Sequence, residues 1–256
     1  MSASSLQAYV RSEIHQSVAI IEFFHPQGNS LPSALLEDLA KEIHSAGVNE
    51  DAKLILLRSA GEKAFCAGAS FEELSAIDSP EKGQAFFNGF SQVINAIRKC
   101  PKLVIGRIQG KSVGGGVGLI AAVDYAIAAE GADIRLSELA IGFGPFVIAP
   151  AVERKIGKGA FSQLAIDATH WRNADWAQKK GLYAELHPDI ASMDEAIGKL
   201  TTNLANSHPE AMAALKKICW EGTEHWDQLL AERAAISGRL ALSPFSKNAI
   251  AGFKTK

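Results

Sequence analysis

The chain opens with short runs in which apolar residues crowd together. It closes with long runs in which they recur every three or four positions. Tyr9–Ile14 and Val18–Phe24 read as two strands, with His15-Gln16-Ser17 between them to turn a hairpin. Pro32 begins a helix that carries Leu35, Leu36, Leu39, Ile43 and His44 at helical spacing. Leu54–Leu57 is an unbroken apolar run, the pattern of a strand covered on both faces in a parallel sheet. Ala64–Ser70 reads as a loop of small residues, Phe71–Ile77 as a short helix, and Pro80–Lys99 as a longer one. The longer helix buries Phe86, Phe87, Phe90, Val93, Ile94 and Ile97. Leu103–Ile108 is a strand, followed by a glycine stretch and a helix reaching Val123. Tyr125–Ala129 is another strand, and Asp133–Leu136 continues the pattern. Strands and helices alternating in this way predict an α/β fold.

Beyond Pro145 the signals are almost wholly helical, over Ala149–Ile156, Gly159–Ala168, Asn173–Lys180, Met193–Asn206, Pro209–Cys219 and Glu224–Leu240. The expected organisation is an α/β core over residues 1–190 and a helical region over 191–256.

Composition narrows the picture. With 256 residues, 47% of them hydrophobic and 21% charged, the chain has the make-up of a globular protein with a large core. A net charge of −2 argues against a nucleic-acid or anionic-membrane partner. Three widely spaced cysteines, Cys66, Cys100 and Cys219, read as free thiols in a reducing compartment and supply no metal-binding pair. The N-terminus has no apolar signal core, and the longest uncharged run is too short and too broken by glycine and proline to span a bilayer. A cytoplasmic protein is expected.

The candidate chemistry centres on Gly110–Asp124, GKSVGGGVGLIAAVD, where five glycines fall between Gly110 and Gly118. Glycine at this density after a strand implies backbone that must approach something closely or expose N–H groups to it. Three short motifs overlap here. Gly110-Lys111-Ser112-Val113-Gly114 matches the nucleophile elbow of serine hydrolases, with Asp124, Asp133 or Asp167 and His170, His187, His208 or His225 as possible triad partners. Gly116–Ala121 matches a dinucleotide fingerprint, with Glu138 placed for a ribose, but it starts too far from its strand. Gly106–Ser112 is one residue short of a phosphate loop.

A fourth reading joins two stretches. Ala64–Ser70 and Ser112–Gly118 each follow a buried strand and precede a helix. Side by side, they would aim one backbone N–H each at a single oxygen and form an oxyanion hole. A third loop, Ser137–Ile141, would bring Glu138 to the same place. Fourteen residues without a charge follow Glu138, and an apolar setting makes a carboxylate a stronger base.

These stretches together resemble the crotonase (enoyl-CoA hydratase/isomerase) superfamily over nearly the whole chain. Lys63-Ala64-Phe65-Cys66-Ala67-Gly68-Ala69-Ser70 is similar to that family's K-A-F-x-A-G-A-D loop. Gln109–Leu119 with Asp124 is similar to its N-G-x-x-x-G-G-G-x-E-L…D segment. Ser137–Pro145 resembles P-E-x-x-x-G-x-x-P. Ala168–Leu182 follows T-G…A-x-x-A-x-x-x-G-L, and His25–Leu31 follows R-P…N-A-L. The resemblance implies a crotonase-like spiral of β-β-α turns with a helical C-terminal trimerisation region, hence a homotrimer or hexamer. It also implies an acyl-CoA thioester as substrate, with no cofactor beyond the coenzyme A that the substrate carries and no metal.

Carried over residue by residue, the resemblance makes the N–H groups of Ala69 and Gly115 the oxyanion donors and Glu138 the catalytic carboxylate. Gln27, Lys63, Ala67, Gly68, Ser70, Phe71, Gly114, Gly142 and Pro145 become substrate-binding residues, with Lys63 meeting a phosphate.

The departures shape the functional expectation. Family hydratases carry two glutamates; the second matches Glu138, whereas the first falls on Gly118. The aspartate after A-G-A is Ser70, and the glycine after the family's proline is Phe146, which would narrow the acyl pocket. Holding a water needs more than one group, whereas moving a double bond needs one carboxylate to shuttle a proton. The leading expectation is therefore an enoyl-CoA isomerase with Glu138 as shuttle. The alternatives are a hydratase using a substitute acid such as Glu72 or Glu73, a serine hydrolase at Ser112, and a non-catalytic acyl-CoA-binding protein.

Overall fold

A computed structural model describes residues 7–253. The chain starts with a hairpin of β1 (Tyr9–His15) and β2 (Val18–Phe24). Gln16 and Ser17 form its turn, both at positive φ (48° and 62°), the geometry that matches the twist of the flanking strands. α1 (Ser33–Val48) follows. Then come β3 (Leu54–Ser59), β4 (Ala64–Cys66), α2 (Phe71–Ala76) and α3 (Pro80–Lys99). The next unit is β5 (Val104–Ile108), β6 (Lys111–Val113) and α4 (Gly115–Ala122). After it come β7 (Tyr125–Ala129), β8 (Ile134–Arg135), a single 3-10 turn at Glu138–Ile141, and α5 (Ala149–Ile166). The rest is α6 (Ala174–Lys179), β9 (Glu185–His187), α7 (Ile190–Ala205), α8 (Pro209–Cys219), α9 (Trp226–Ala241) and α10 (Pro244–Phe253).

The spiral is visible in how successive units divide their strands. β3, β5 and β7 go to a six-stranded sheet of order β1-β2-β3-β5-β7-β9, parallel except for the first pair. Their companions β4, β6 and β8 form a second, three-stranded parallel sheet. The apolar run in β3 is buried on both sides, as its pattern predicts. Ile55 and Leu57 join the main core with α1 and α3. Leu54 and Leu56 join a second core that Met193 and Ile197 of α7 close from the other face.

Four expectations from the sequence need correction. The small-residue stretch from Ala64 is not all loop, because Ala64–Cys66 pairs with β6. The glycine stretch likewise holds strand β6 before its helix. The largely helical region beyond Pro145 also holds a strand that its pattern does not show, since β9 pairs in parallel with β7 at Ile127–Ala129. The final helical signal starts at Trp226 rather than Glu224, and α10 follows it, begun by Pro244 with the Ser243 hydroxyl accepting from the Ser246 N–H at 3.2 Å. The two helices expected over 149–168 meet at Gly157, whose φ of 76° kinks α5.

Two contacts tie the C-terminal helices to the core. Helix α9 lies directly on α3, where a Cβ at Gly83 would stand 2.7 Å from the Gly238 Cα. Asp124, just past the end of α4, accepts from the Val104 N–H at 2.7 Å and the Trp220 indole at 2.7 Å, and pairs with the Lys216 ammonium at 2.8 Å. No helix among the described residues is long and apolar enough to cross a membrane.

Candidate active site

The three glycine-bearing segments converge because glycine lets their backbones touch. A Cβ at Gly68 would lie 2.8 Å from the Val113 carbonyl oxygen, one at Gly116 would lie 2.7 Å from Cys66 Cβ, and one at Gly110 would collide with the Lys63 carbonyl. Gly68 also has a φ of +91°, which a side chain resists. The loop after β4 is held from its other side as well. The N–H of Leu31 donates to the Gly68 carbonyl at 2.8 Å, and the N–H of Ser70 donates to the Leu31 carbonyl at 3.2 Å. These bonds use the residues flanking Ala69, so the N–H of Ala69 itself points away from Leu31. Gly115 opens α4, where an N–H has no partner within the helix. Neither N–H finds an acceptor among the described residues.

Beside these two donors lies a cleft with about 600 Å³ of free space, the open solvent at its mouth included. Phe87, Phe90, Phe143, Phe146, Val147 and Ile148 form much of its wall. Glu138 is the sole ionisable side chain among the described residues that line it. As a residue Glu138 is only half-buried, yet its Oε2 is shut away from solvent and has no hydrogen-bond partner. The burial of the carboxylate, rather than the exposure of the whole residue, governs its ionisation. Burial raises its pKa to about 7, opposed by a hydrogen bond from its own backbone and by the positive charge of Arg135.

The carboxylate reaches this position because residue 114 has no side chain. A Cβ at Gly114, whose φ is +52°, would stand 2.8 Å from Glu138 Oε1. The 3-10 turn that carries Glu138 is closed by Gly142 at a φ of +94°, and α10 packs against that closure through Ser246.

Of the residues singled out in the sequence, Ala67, Gly68, Ala69, Phe71, Gly114, Gly115, Glu138 and Pro145 all line the cleft. Phe146 lines it too, as its place after Pro145 suggests. The others stand elsewhere. Gln27 is exposed, on a loop bound to the Ala67–Ala69 segment by the Ala67 N–H donating to the Gly28 carbonyl at 3.0 Å. Lys63 is exposed on the approach to the same segment. Ser70 is buried, and its hydroxyl caps α2 by accepting from the Glu73 N–H at 3.3 Å. Gly142 serves the turn rather than the cleft wall.

The substitute acids are occupied or remote. Glu73 accepts from the N–H and hydroxyl of Ser33 at 2.9 and 2.6 Å, and Glu72 is exposed. Neither lines the cleft.

The hydrolase geometry is absent. Ser112 lies within β6 instead of at a strand-to-helix turn. Its hydroxyl is fully buried and unpartnered, and no described histidine hydrogen-bonds to it. His170 pairs with Asp167, His187 with Glu185, and His208 caps α8. The dinucleotide motif fails because Gly116–Ala121 is buried inside α4, with no room for a phosphate at its glycines.

Three features escaped sequence reasoning. Phe87 and Phe90 were legible as buried but not as cleft wall. Ser237 reaches the cleft from α9, at least 89 residues along the chain from the other residues that line it. Ile148 lies against Gly118, where a Cβ would come within 2.3 Å of its Cγ2. The one available signal for this last pairing was the absence of a side chain at 118.

A two-sheet spiral that gathers a lone buried carboxylate and two uncommitted N–H groups around an apolar cleft defines an enzyme scaffold suited to acyl chemistry. The family model for enoyl-CoA hydratase/isomerase matches residues 13–253, and the chain belongs to that family, within the crotonase superfamily. It is 26% identical over 250 residues to a probable enoyl-CoA hydratase of Rhodobacter capsulatus, covering 96% of this chain and 95% of the relative. It is 25% identical over 211 residues to a peroxisomal Δ(3,5)-Δ(2,4)-dienoyl-CoA isomerase of Arabidopsis thaliana, covering 77% and 74%. Among solved structures, an enoyl-CoA hydratase from Bacillus halodurans superposes with a TM-score of 0.87 at 21% identity, covering 95% of this chain and 99% of that one.

Proposed function

We propose that this member of the family shifts the double bond of an enoyl-CoA thioester, with Glu138 as the single proton shuttle. The supporting observation is that Glu138 is the one ionisable group among the described residues of the cleft and its Oε2 is left unpartnered there. With the thioester oxygen between the N–H groups of Ala69 and Gly115, the carboxylate takes a proton from the carbon next to the carbonyl. The electron pair moves onto the thioester oxygen, where the two donors and the N-terminus of α4 stabilise the charge. The neutral Glu138 then returns the proton two carbons along, the thioester carbonyl re-forms, and the double bond has moved. A pKa of about 7 suits a group that must both take and give a proton near neutrality. Because the first step needs the ionised form, kcat/KM falls as pH drops through about 7.

Replacing Glu138 by Gln tests the assignment. Isomerisation should drop by roughly 10²–10⁴-fold while CoA-ester binding persists, and unchanged turnover would sink the assignment. Hydration stands as the second reading because relatives carry that name. Mass spectrometry for gain of one water, across a panel of enoyl-CoA esters, separates the two; binding of every ester without turnover would instead indicate a non-catalytic binding protein. The placement of coenzyme A along the Gln27 and Lys63 segments belongs to the same proposal. So does assembly into trimers or hexamers through the helical C-terminal region, which sedimentation velocity would test.

A further inference from the structure

Helix α4 turns one face towards the cleft. Gly115 and Gly118 are three residues apart, so they lie on one stripe of that helix. Each is covered by a side chain that belongs to the cleft wall. A Cβ at Gly115 would come within 2.1 Å of the Phe90 ring, and one at Gly118 within 2.3 Å of Ile148 Cγ2. Phe90 and Ile148 are both 3% exposed and both line the cleft that holds Glu138. The space that a side chain at 118 would fill is therefore filled from outside the helix, by an isoleucine thirty residues further along the chain.

We propose that Ile148 determines the outcome of the reaction, by filling with hydrocarbon the space beside Gly118 from which a second polar group could hold a water. The proposal rests on the isomerase reading above and extends it. Ile148 keeps the cleft dry, so no water is held to add to the double bond of the enoyl ester, and proton transfer by Glu138 from one carbon to another is the reaction that remains. The two positions are coupled by geometry. A Cβ at 118 would stand 2.6 Å from Ile148 Cβ as well, so truncation to alanine would not relieve the overlap, and only glycine at 148 opens the space. Ile148 is the residue before α5, a position that accepts glycine.

The experiment compares the wild type, Ile148→Ser, and the double variant Gly118→Glu with Ile148→Gly. Each is incubated with 2-enoyl- and 3-enoyl-CoA esters, and the ratio of hydrated to isomerised product is measured. Thermal melting and CoA-ester binding establish that each variant is folded. The double variant should raise the ratio by about a hundredfold, the scale of one positioned acid–base group, and Ile148→Ser by about tenfold. A folded, binding double variant with the wild-type ratio overturns the proposal. If the double variant does not fold, Ile148→Ser decides alone, and a wild-type ratio in that variant overturns it equally. A wild type that hydrates without isomerising would instead remove the isomerase reading on which the proposal rests, and the wild-type arm shows that separately.

Discussion

Helix α4 has a carboxylate at each end, and the two are treated in opposite ways. At its C-terminal end Asp124 is anchored by a backbone N–H, an indole and an ammonium, and the Lys155 ammonium donates to the Asp124 carbonyl at 3.0 Å. The C-terminus of a helix repels an anion, and these cations offset that. At its N-terminal end, where the helix favours an anion, Glu138 has an oxygen with no partner. The residue in the favourable field is the one whose pKa burial pushes up to about 7. What separates a structural carboxylate from one free to react is the number of groups bonded to it, more than its position along the helix.

Removing either anion should have different consequences, and the largest is expected at Asp124. Asp124→Ala leaves Lys216, whose side chain is 3% exposed, without its counter-charge. Breaking such a pair costs roughly 3–5 kcal/mol. Chemical denaturation should show the loss, and activity per folded molecule should survive; a variant as stable as the wild type would mean that Asp124 is not the anchor described.

At Glu138 the effect on stability reverses and depends on pH. Its folded pKa lies above the ordinary 4.5, so the folded protein holds this proton more tightly than the unfolded chain does. Nothing is lost below about 4.5, and the charge becomes costly as pH rises through about 7, up to about 3 kcal/mol. Glu138→Gln should therefore melt like the wild type at pH 4.5 or below and above it at pH 8. Parallel melting curves at both pH values would show that the carboxylate is better solvated than its burial implies.

The smallest effect concerns the residue that lets Glu138 approach. Gly114→Ala combines a positive φ with a Cβ 2.8 Å from Glu138 Oε1. A cost of about 1–3 kcal/mol is expected, together with a fall in kcat/KM and a changed pH profile as the carboxylate is displaced. A stability loss with an unaltered profile would separate the strain from the positioning.

Much of this arrangement can be read in the sequence because it is local. The glycines, the Ala67–Ala69 run and the charge-free stretch after Glu138 sit within short windows. The alternation of buried strands with helices also sufficed for the α/β class, whereas the spiral of β-β-α turns came from the family resemblance. What could not be read depends on partners distant in the chain. β9 has three residues, too few to show a period, and exists because β7 offers it an edge. Ser237 enters the cleft only because Gly83 and Gly238 let α3 and α9 meet at the backbone. Gly118 was conspicuous as a missing carboxylate, but the side chain that takes its space lies on another helix boundary. Ser70 could be read as a ligand because its neighbours are cleft residues, yet its hydroxyl turns to the N-terminus of α2.

The contact between Gly116 and Cys66 has a practical consequence. Cys66 is fully buried beneath the two loops, its sulfur accepting from the Gly68 N–H at 3.4 Å, and burial pushes the thiol pKa up to about 12. A thiol so placed reacts with a labelling reagent only when the loops part. Cys219 is exposed and would react at once, while Cys100 is buried away from the cleft. The modification rate of Cys66, resolved by peptide mapping, is thus a built-in clock for the opening of these loops, and a bound thioester bridging them should slow it.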